Sequence, residues 1–178
     1  HQILTLQKIP VASIGTLGIK TKKKIKKTNL KTLDIISLHR ELSRIKKLGI
    51  NNVILEASSH GLLQARLNGL DFKTAIFTNF SQDHLDYHKN MKDYLKAKLI
   101  LFSKLLKEKN KIVTDNKIKE FPKLKLIAKN RKLNLLTIGT ENSTIKINSL
   151  TNKNNFQQLS FRHNNKKYTI AVPLIGFF

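Results

Sequence analysis

Carboxylates are scarce in this chain, and they crowd together. Of eleven Asp and Glu among 178 residues, five lie from Glu56 to Asp93, as do three of the six His. The stretches concerned are Glu56-Ala57-Ser58-Ser59-His60-Gly61 and Asn79-Phe80-Ser81-Gln82-Asp83-His84-Leu85-Asp86-Tyr87-His88. A carboxylate at the end of one strand, with Asp and His at the end of the next, is a donor set for a hard cation. Mg²⁺ takes oxygen ligands, keeps several waters and is often shared with nucleotide phosphates. The spacing therefore points to a divalent cation together with a phosphorylated ligand. Glu56 alone could equally be a capping or ion-paired carboxylate, and His84 or His88 alone a structural histidine. His84 and His88 also form H-x-x-x-H, a zinc spacing when helical, but no third ligand follows at a telling distance.

Absent motifs narrow the chemistry. There is no G-x-x-x-x-G-K-[ST] phosphate loop, and Gly15-Thr16-Leu17-Gly18 is too short to be one. There is no G-x-S-x-G elbow. Cysteine is absent, which excludes disulfides, thiolate metal sites and cysteine nucleophiles and suits a reducing cytoplasm.

The elements that must position these residues follow from periodicity. Residues 1–7 read as the tail of a helix. Short apolar strands are predicted at 11–15, 52–57, 73–79, 111–114 and 133–138. Helical spacing covers 32–48, with Thr32 as a possible cap and Gly49 as the stop, then 93–106 and 118–129. Residues 21–27, with five lysines, read as a solvated loop or a flap near an anionic ligand. Strands alternating with helices predict an α/β fold, a mostly parallel sheet with flanking helices over 1–140. Beyond Gly139 the pattern becomes alternation at 144–150, 156–162 and 167–173 between Asn-rich turns, which predicts an antiparallel β meander over 141–178. In open parallel sheets ligands bind outside the carboxyl ends of the strands, where Glu56 and Asn79 stand.

The net charge of +23 first reads as that of a polyanion binder. Yet the chain holds 29 Lys, 20 Ile and 17 Asn against only 5 Arg, the profile of an A/T-rich genome. Arg for bidentate recognition is scarce and aromatics are 7%, so a nucleic-acid partner is disfavoured. No apolar run reaches the ~18 residues of a spanning helix, so no membrane partner is expected. The start at His1 and the end at Phe178 make the chain look cut from something longer.

The segments 56–66, 77–88 and Tyr94-Leu95-Lys96-Ala97-Lys98 together closely resemble the Mur ligases, in that family's order and spacing. Gly15-Thr16-Leu17-Gly18 and the closing 173–177 also resemble family segments. The resemblance implies a central ATPase domain, without its first strand and phosphate loop and without the N-terminal UDP-binding and C-terminal domains. It implies a cytoplasmic, ATP-dependent ligase of peptidoglycan synthesis. That enzyme joins a third amino acid, diaminopimelate or lysine, to UDP-N-acetylmuramoyl-L-Ala-D-Glu through an acyl phosphate, the fragment alone being inactive.

The resemblance also assigns roles. Glu56 matches the ligand of one of two Mg²⁺ ions, and His84 a ligand of the second. Lys98 matches a lysine carried as its carbamate (N6-carboxylysine); an ordinary lysine is a cation and would repel the metal, whereas the carbamate is an anion. Ser58, Gln64 and Arg66 match contacts to the UDP-muramoyl dipeptide. Thr32 matches the second residue of a Thr-Thr pair whose first position is Lys31 here and whose following Pro is Leu33. Asn79, Asp83, Asp86 and His60 are expected in supporting roles. A folylpolyglutamate-type ligase and a non-catalytic basic nucleic-acid-binding domain are the alternatives.

Overall fold

The computed structural model describes residues 1–22, 24–28, 32–83 and 86–173. The chain forms two compact units: one of His1–Leu70 with Gln82–Leu101, the other of Asp71–Ser81 with the described residues from Phe102 onward.

The first unit begins with helix α1 (Gln2–Leu6) and holds a four-stranded sheet of order β3-β2-β1-β4. Strand β1 (Val11–Gly15) pairs in parallel with β4 (Asn52–Leu55) and antiparallel with β2 (Gly18–Lys20), which pairs with β3 (Ile25–Lys26). The helix between β3 and β4, α2 (Ile35–Lys47), buries Leu38 and Ile45, seven apart on one face, and these join Val11, Ala12, Ile14 and Ile19 in the core. Two short-range devices set the remaining helices. Ser58 caps α3 (Ser59–Leu63) by accepting from the Gly61 N–H, and Asn90 caps α4 (Met91–Ile100) by accepting from the Asp93 N–H at 2.9 Å.

The second unit carries a six-stranded sheet of order β10-β9-β8-β7-β6-β5. Strands β5 (Thr74–Phe77), β6 (Lys111–Asp115) and β7 (Asn134–Gly139) are parallel, and β8 (Ile145–Asn152) joins them in parallel with β7. From β8 the same sheet continues antiparallel through β9 (Gln157–His163) and β10 (Lys166–Val172). Asn164 and Asn165, both left-handed, form the two-residue turn between the last two strands, a conformation Asn tolerates. Phe77, Phe102, Leu106, Ile112 and Leu124 form the core, with helix α5 (Phe121–Asn130) contributing Leu124 and Ala128.

The α/β architecture and the antiparallel end match the expectation. Four local readings change. The cap of α2 is Asp34, whose Oδ1 accepts from the Ser37 N–H at 2.9 Å; Thr32 is instead buried, with its hydroxyl engaged elsewhere. Part of the lysine-rich stretch is strand β3, where Lys26 pairs with Glu41 at 2.5 Å, and β2 precedes it; strands this short carry no readable alternation. Helix α4 starts two residues earlier than its apolar spacing indicated, because Asn90 provides the cap, and it continues as a π-helical segment, Leu101–Leu105. Helix α5 starts later, with Pro122 in its first turn, where a missing N–H costs nothing. Among the described residues no helix is long and apolar enough to cross a membrane.

Candidate functional site

Strand β4 runs directly into the polar cluster. Glu56 follows its last residue, and the Glu56 N–H donates to the Ile14 carbonyl at 2.9 Å, so the parallel pairing with β1 fixes the start of the loop. The exposed Glu56 side chain is oriented from the turn after β1: Thr16 N–H donates to Oε2 at 2.8 Å, and the Thr16 hydroxyl lies 2.8 Å from Oε2 and 3.0 Å from Oε1. Gly15 makes this approach possible, since a Cβ there would sit 2.7 Å from Glu56 Oε2. The result is a solvent-facing carboxylate held in one orientation at the end of a parallel strand.

Beside it lies Thr32, 2% exposed. Its Oγ1 accepts from the Ser58 N–H at 3.1 Å and lies 3.0 Å from the Glu56 carbonyl and 2.9 Å from Ser58 Oγ. The hydroxyl therefore fastens both sides of the peptide that turns β4 into α3. Gly61 packs against the Thr32 side chain so closely that an added Cβ would meet Thr32 Cγ2 at 2.6 Å. Arg66 donates from Nη1 to the Thr32 carbonyl at 2.8 Å and from Nη2 to Gln64 Oε1. Gln64 in turn donates from Nε2 to the Tyr87 hydroxyl at 3.0 Å. A guanidinium has five N–H groups, so these two bonds leave Arg66 with donors for an anion.

A third group surrounds His88. Its ring is 3% exposed, and its Nε2 lies 2.8 Å from Ser59 Oγ. It stacks on Tyr94 at 4.9 Å, while Tyr87 and His60 meet it edge-on at 5.1 and 5.5 Å. His60 and Tyr87 themselves lie 3.8 Å apart by ring centroids. Lys98, one turn beyond Tyr94 on α4 and half-buried, places Nζ 5.2 Å from the Tyr94 ring centroid.

The structure thus brings Thr32, Ser58, Gln64 and Arg66 into one hydrogen-bonded cluster next to Glu56. Lys98 stands on α4 over Tyr94, and His60 within the ring cluster. Asp83 and Asp86 are exposed in the first unit, and Asn79 is exposed in the second, after β5. His84 lies outside the described residues, as do Lys31 and residues 174–178. Among the described residues no three His, Asp or Glu side chains gather as a metal cage. Residues 86–90 form turns and bends, so the helical H-x-x-x-H arrangement has no helix there. Gly15, Thr16, Gly61, Tyr87 and Tyr94 had no assigned roles in the sequence, and His88 takes the structural place that was one of its two readings. For Tyr87 and His88 the signal was their place in the 83–88 block; for Thr16 it was the end of a strand running parallel to β4.

One further charged cluster completes the first unit. Burial alone would raise the Glu41 carboxyl, but hydrogen bonds from Lys26 and Arg44, and their charges, hold it below its usual value.

The whole chain, residues 1–178, matches the model of the Mur ligase middle domain. The UDP-N-acetylmuramoyl-L-alanyl-D-glutamate–2,6-diaminopimelate ligase of Rickettsia conorii is 37% identical over 171 residues, covering 94% of this chain and 36% of that protein. A solved structure of a ligase of the same name superposes with a TM-score of 0.87 at 29% identity over 98% of this chain and 36% of that one. A structure of L. casei FPGS gives a TM-score of 0.68 at 12% identity over 98% of this chain and 49% of that one, a likeness of fold alone. The chain spans about a third of the length of the curated relative it matches. A family model matched end to end, over a fold in which Thr32, Ser58, Gln64 and Arg66 converge beside Glu56 at the carboxyl end of β4, shows that the chain belongs to the Mur ligases as their middle domain.

Proposed function

We propose that this chain serves as the central domain of an ATP-dependent ligase that adds the third amino acid to UDP-N-acetylmuramoyl-L-Ala-D-Glu. The observation that carries this reading is the cluster of Thr32, Ser58, Gln64 and Arg66 beside an oriented Glu56. The 37% identity to a diaminopimelate-adding ligase supports diaminopimelate as the incoming amino acid and favours the muropeptide branch over the folylpolyglutamate-type alternative. Pairing of Lys26 with Glu41 takes one cation out of the lysine-rich stretch, which weakens the nucleic-acid reading.

In this reaction a carboxylate oxygen of the muramoyl dipeptide attacks the γ-phosphorus of ATP, and the bond to the β-bridging oxygen breaks to release ADP. The amine of the amino acid then attacks the acyl carbon and loses a proton. The tetrahedral intermediate collapses, expelling phosphate and leaving the amide. Positioning and charge stabilisation dominate such transfers. Arg66 is suited to grip an anionic group of the UDP-substrate, and its bonds to Thr32 and Gln64 hold the guanidinium plane. Ser58, capping α3, offers a hydroxyl at the same place.

The donor set fits Mg²⁺: Glu56 presents two hard oxygen atoms to solvent in an orientation set by Thr16. Glu56, His84 and a carbamate on Lys98 would hold two Mg²⁺ ions, which when bound neutralise the charge of phosphates approaching a carboxylate. The phosphate loop belongs, in this reading, to another part of the ligase.

The test is ADP release by the ligase that contains this domain. Release should require UDP-N-acetylmuramoyl-L-Ala-D-Glu and diaminopimelate together. Equal ATP turnover with a folate substrate, or none with the muramoyl dipeptide, would overturn the assignment.

A further inference from the structure

We propose that Tyr94 and His88 are positioning residues for Lys98, forming a buried stack that ties the side chain of that lysine to helix α3; this rests on the ligase reading above. Tyr94 and Lys98 are four residues apart on α4 and so share a face. The Lys98 Nζ lies 5.2 Å from the Tyr94 ring centroid, within the range at which a ring face attracts the ammonium of the unmodified lysine. Among the described residues Lys98 makes no ion pair, and the Tyr94 ring is a contact that orients it.

Tyr94 in turn is fixed from below. It is 4% exposed and stacks at an interplanar angle of 28° on His88, itself 3% exposed. The His88 Nε2 reaches Ser59 Oγ at 2.8 Å, immediately after Ser58, which caps α3 in the substrate cluster. Tyr87 and His60 close the sides of the imidazole, and Tyr87 is bonded to Gln64. The loop that carries the proposed dipeptide contacts and the helix that carries Lys98 are therefore joined through two stacked rings. In the ligation itself both rings act through Lys98.

Carbamylation is the step that needs this placement. The neutral Lys98 Nζ attacks the carbon of CO₂, an N–C bond forms, one C=O electron pair moves to oxygen, and Nζ gives a proton to solvent. The N–H that remains on Nζ can still face the Tyr94 ring.

The experiment uses the ligase containing this domain, supplied with ¹³C-bicarbonate. The carbamate carbon is followed by NMR alongside steady-state kinetics and thermal unfolding. Tyr94→Phe keeps the ring and should retain more of the carbamate signal and kcat than a variant without it. Tyr94→Met keeps apolar bulk without the ring, and should lower both signal and kcat about tenfold while KM for the UDP-substrate stays within about twofold. His88→Phe keeps the stack but loses the Ser59 anchor, and should lower both by a smaller factor; it also keeps the test alive if Tyr94→Met does not fold. Wild-type signal and kcat in folded Tyr94→Met, or in His88→Phe where Tyr94→Met is unfolded, would overturn the proposal. Lys98→Ala separates the two levels. If it is inactive while Tyr94→Met is normal, only the positioning role falls. If Lys98→Ala is itself fully active, the assignment of Lys98 falls and takes this proposal with it.

Discussion

At the scale of single residues, the site is built from side chains that hold one another. Arg66 is one of only five Arg, and its guanidinium is anchored to the Thr32 carbonyl and to Gln64 rather than left in solvent. A charge-assisted bond to an anionic substrate group is worth roughly 1.5–3 kcal/mol, so Arg66→Ala should raise KM for the UDP-substrate about 10–100-fold with a smaller change in kcat. Unchanged KM in steady-state kinetics would remove Arg66 from the binding site. Gly61 is a steric requirement: a methyl group there would press on a buried Thr32 at 2.6 Å. Gly61→Ala should cost about 1–3 kcal/mol in an unfolding titration, by the usual penalty of overpacking. The grouping of Ser58, Gln64, Arg66 and Thr32 was legible through the family resemblance rather than from residue types alone, and the four side chains do converge. The Thr16 contact with Glu56 was not, because the two are 40 positions apart and meet only through the register of β1 against β4.

At the scale of elements, the strongest local device is the pinning of strand β3 to helix α2. Glu41 is 8% exposed and accepts from Lys26 at 2.5 Å and Arg44 at 2.7 Å. Its carboxyl is held below the usual 4.5, so the stability it contributes is present above that pH and is lost as pH falls through the lowered folded value. Glu41→Gln should therefore destabilise the protein by about 1 kcal/mol at neutral pH. Acid unfolding curves of mutant and wild type should converge at low pH. A gap that persists there would mean that Glu41 acts through packing alone. Helices and long strands were readable from apolar spacing, which is a property of the element itself. The β2–β3 hairpin was not, since strands of three and two residues carry too little pattern and a lysine run hides them. Helix starts shifted for a related reason: the cap is chosen by which side chain reaches the first-turn N–H groups, and Thr32, buried against Ser58, was taken by tertiary structure.

For the molecule as a whole, periodicity foretold the parallel strands and the antiparallel end but not their division into two sheets with separate cores. Local spacing reports which face of a strand is buried, not which strand lies beside it. Charge was the least informative global feature: +23 spread over a lysine-rich surface says little about chemistry, whereas a few carboxylates at strand ends said much. The function proposed for this domain turns on Lys98, which as its carbamate would enter the ligation as an anion. The most direct measurement is substrate-dependent ADP release by the Lys98→Ala ligase, with and without added acetate. Turnover should fall roughly a hundredfold or more and be partly restored by the small carboxylate. Wild-type turnover in that variant would contradict this role of Lys98.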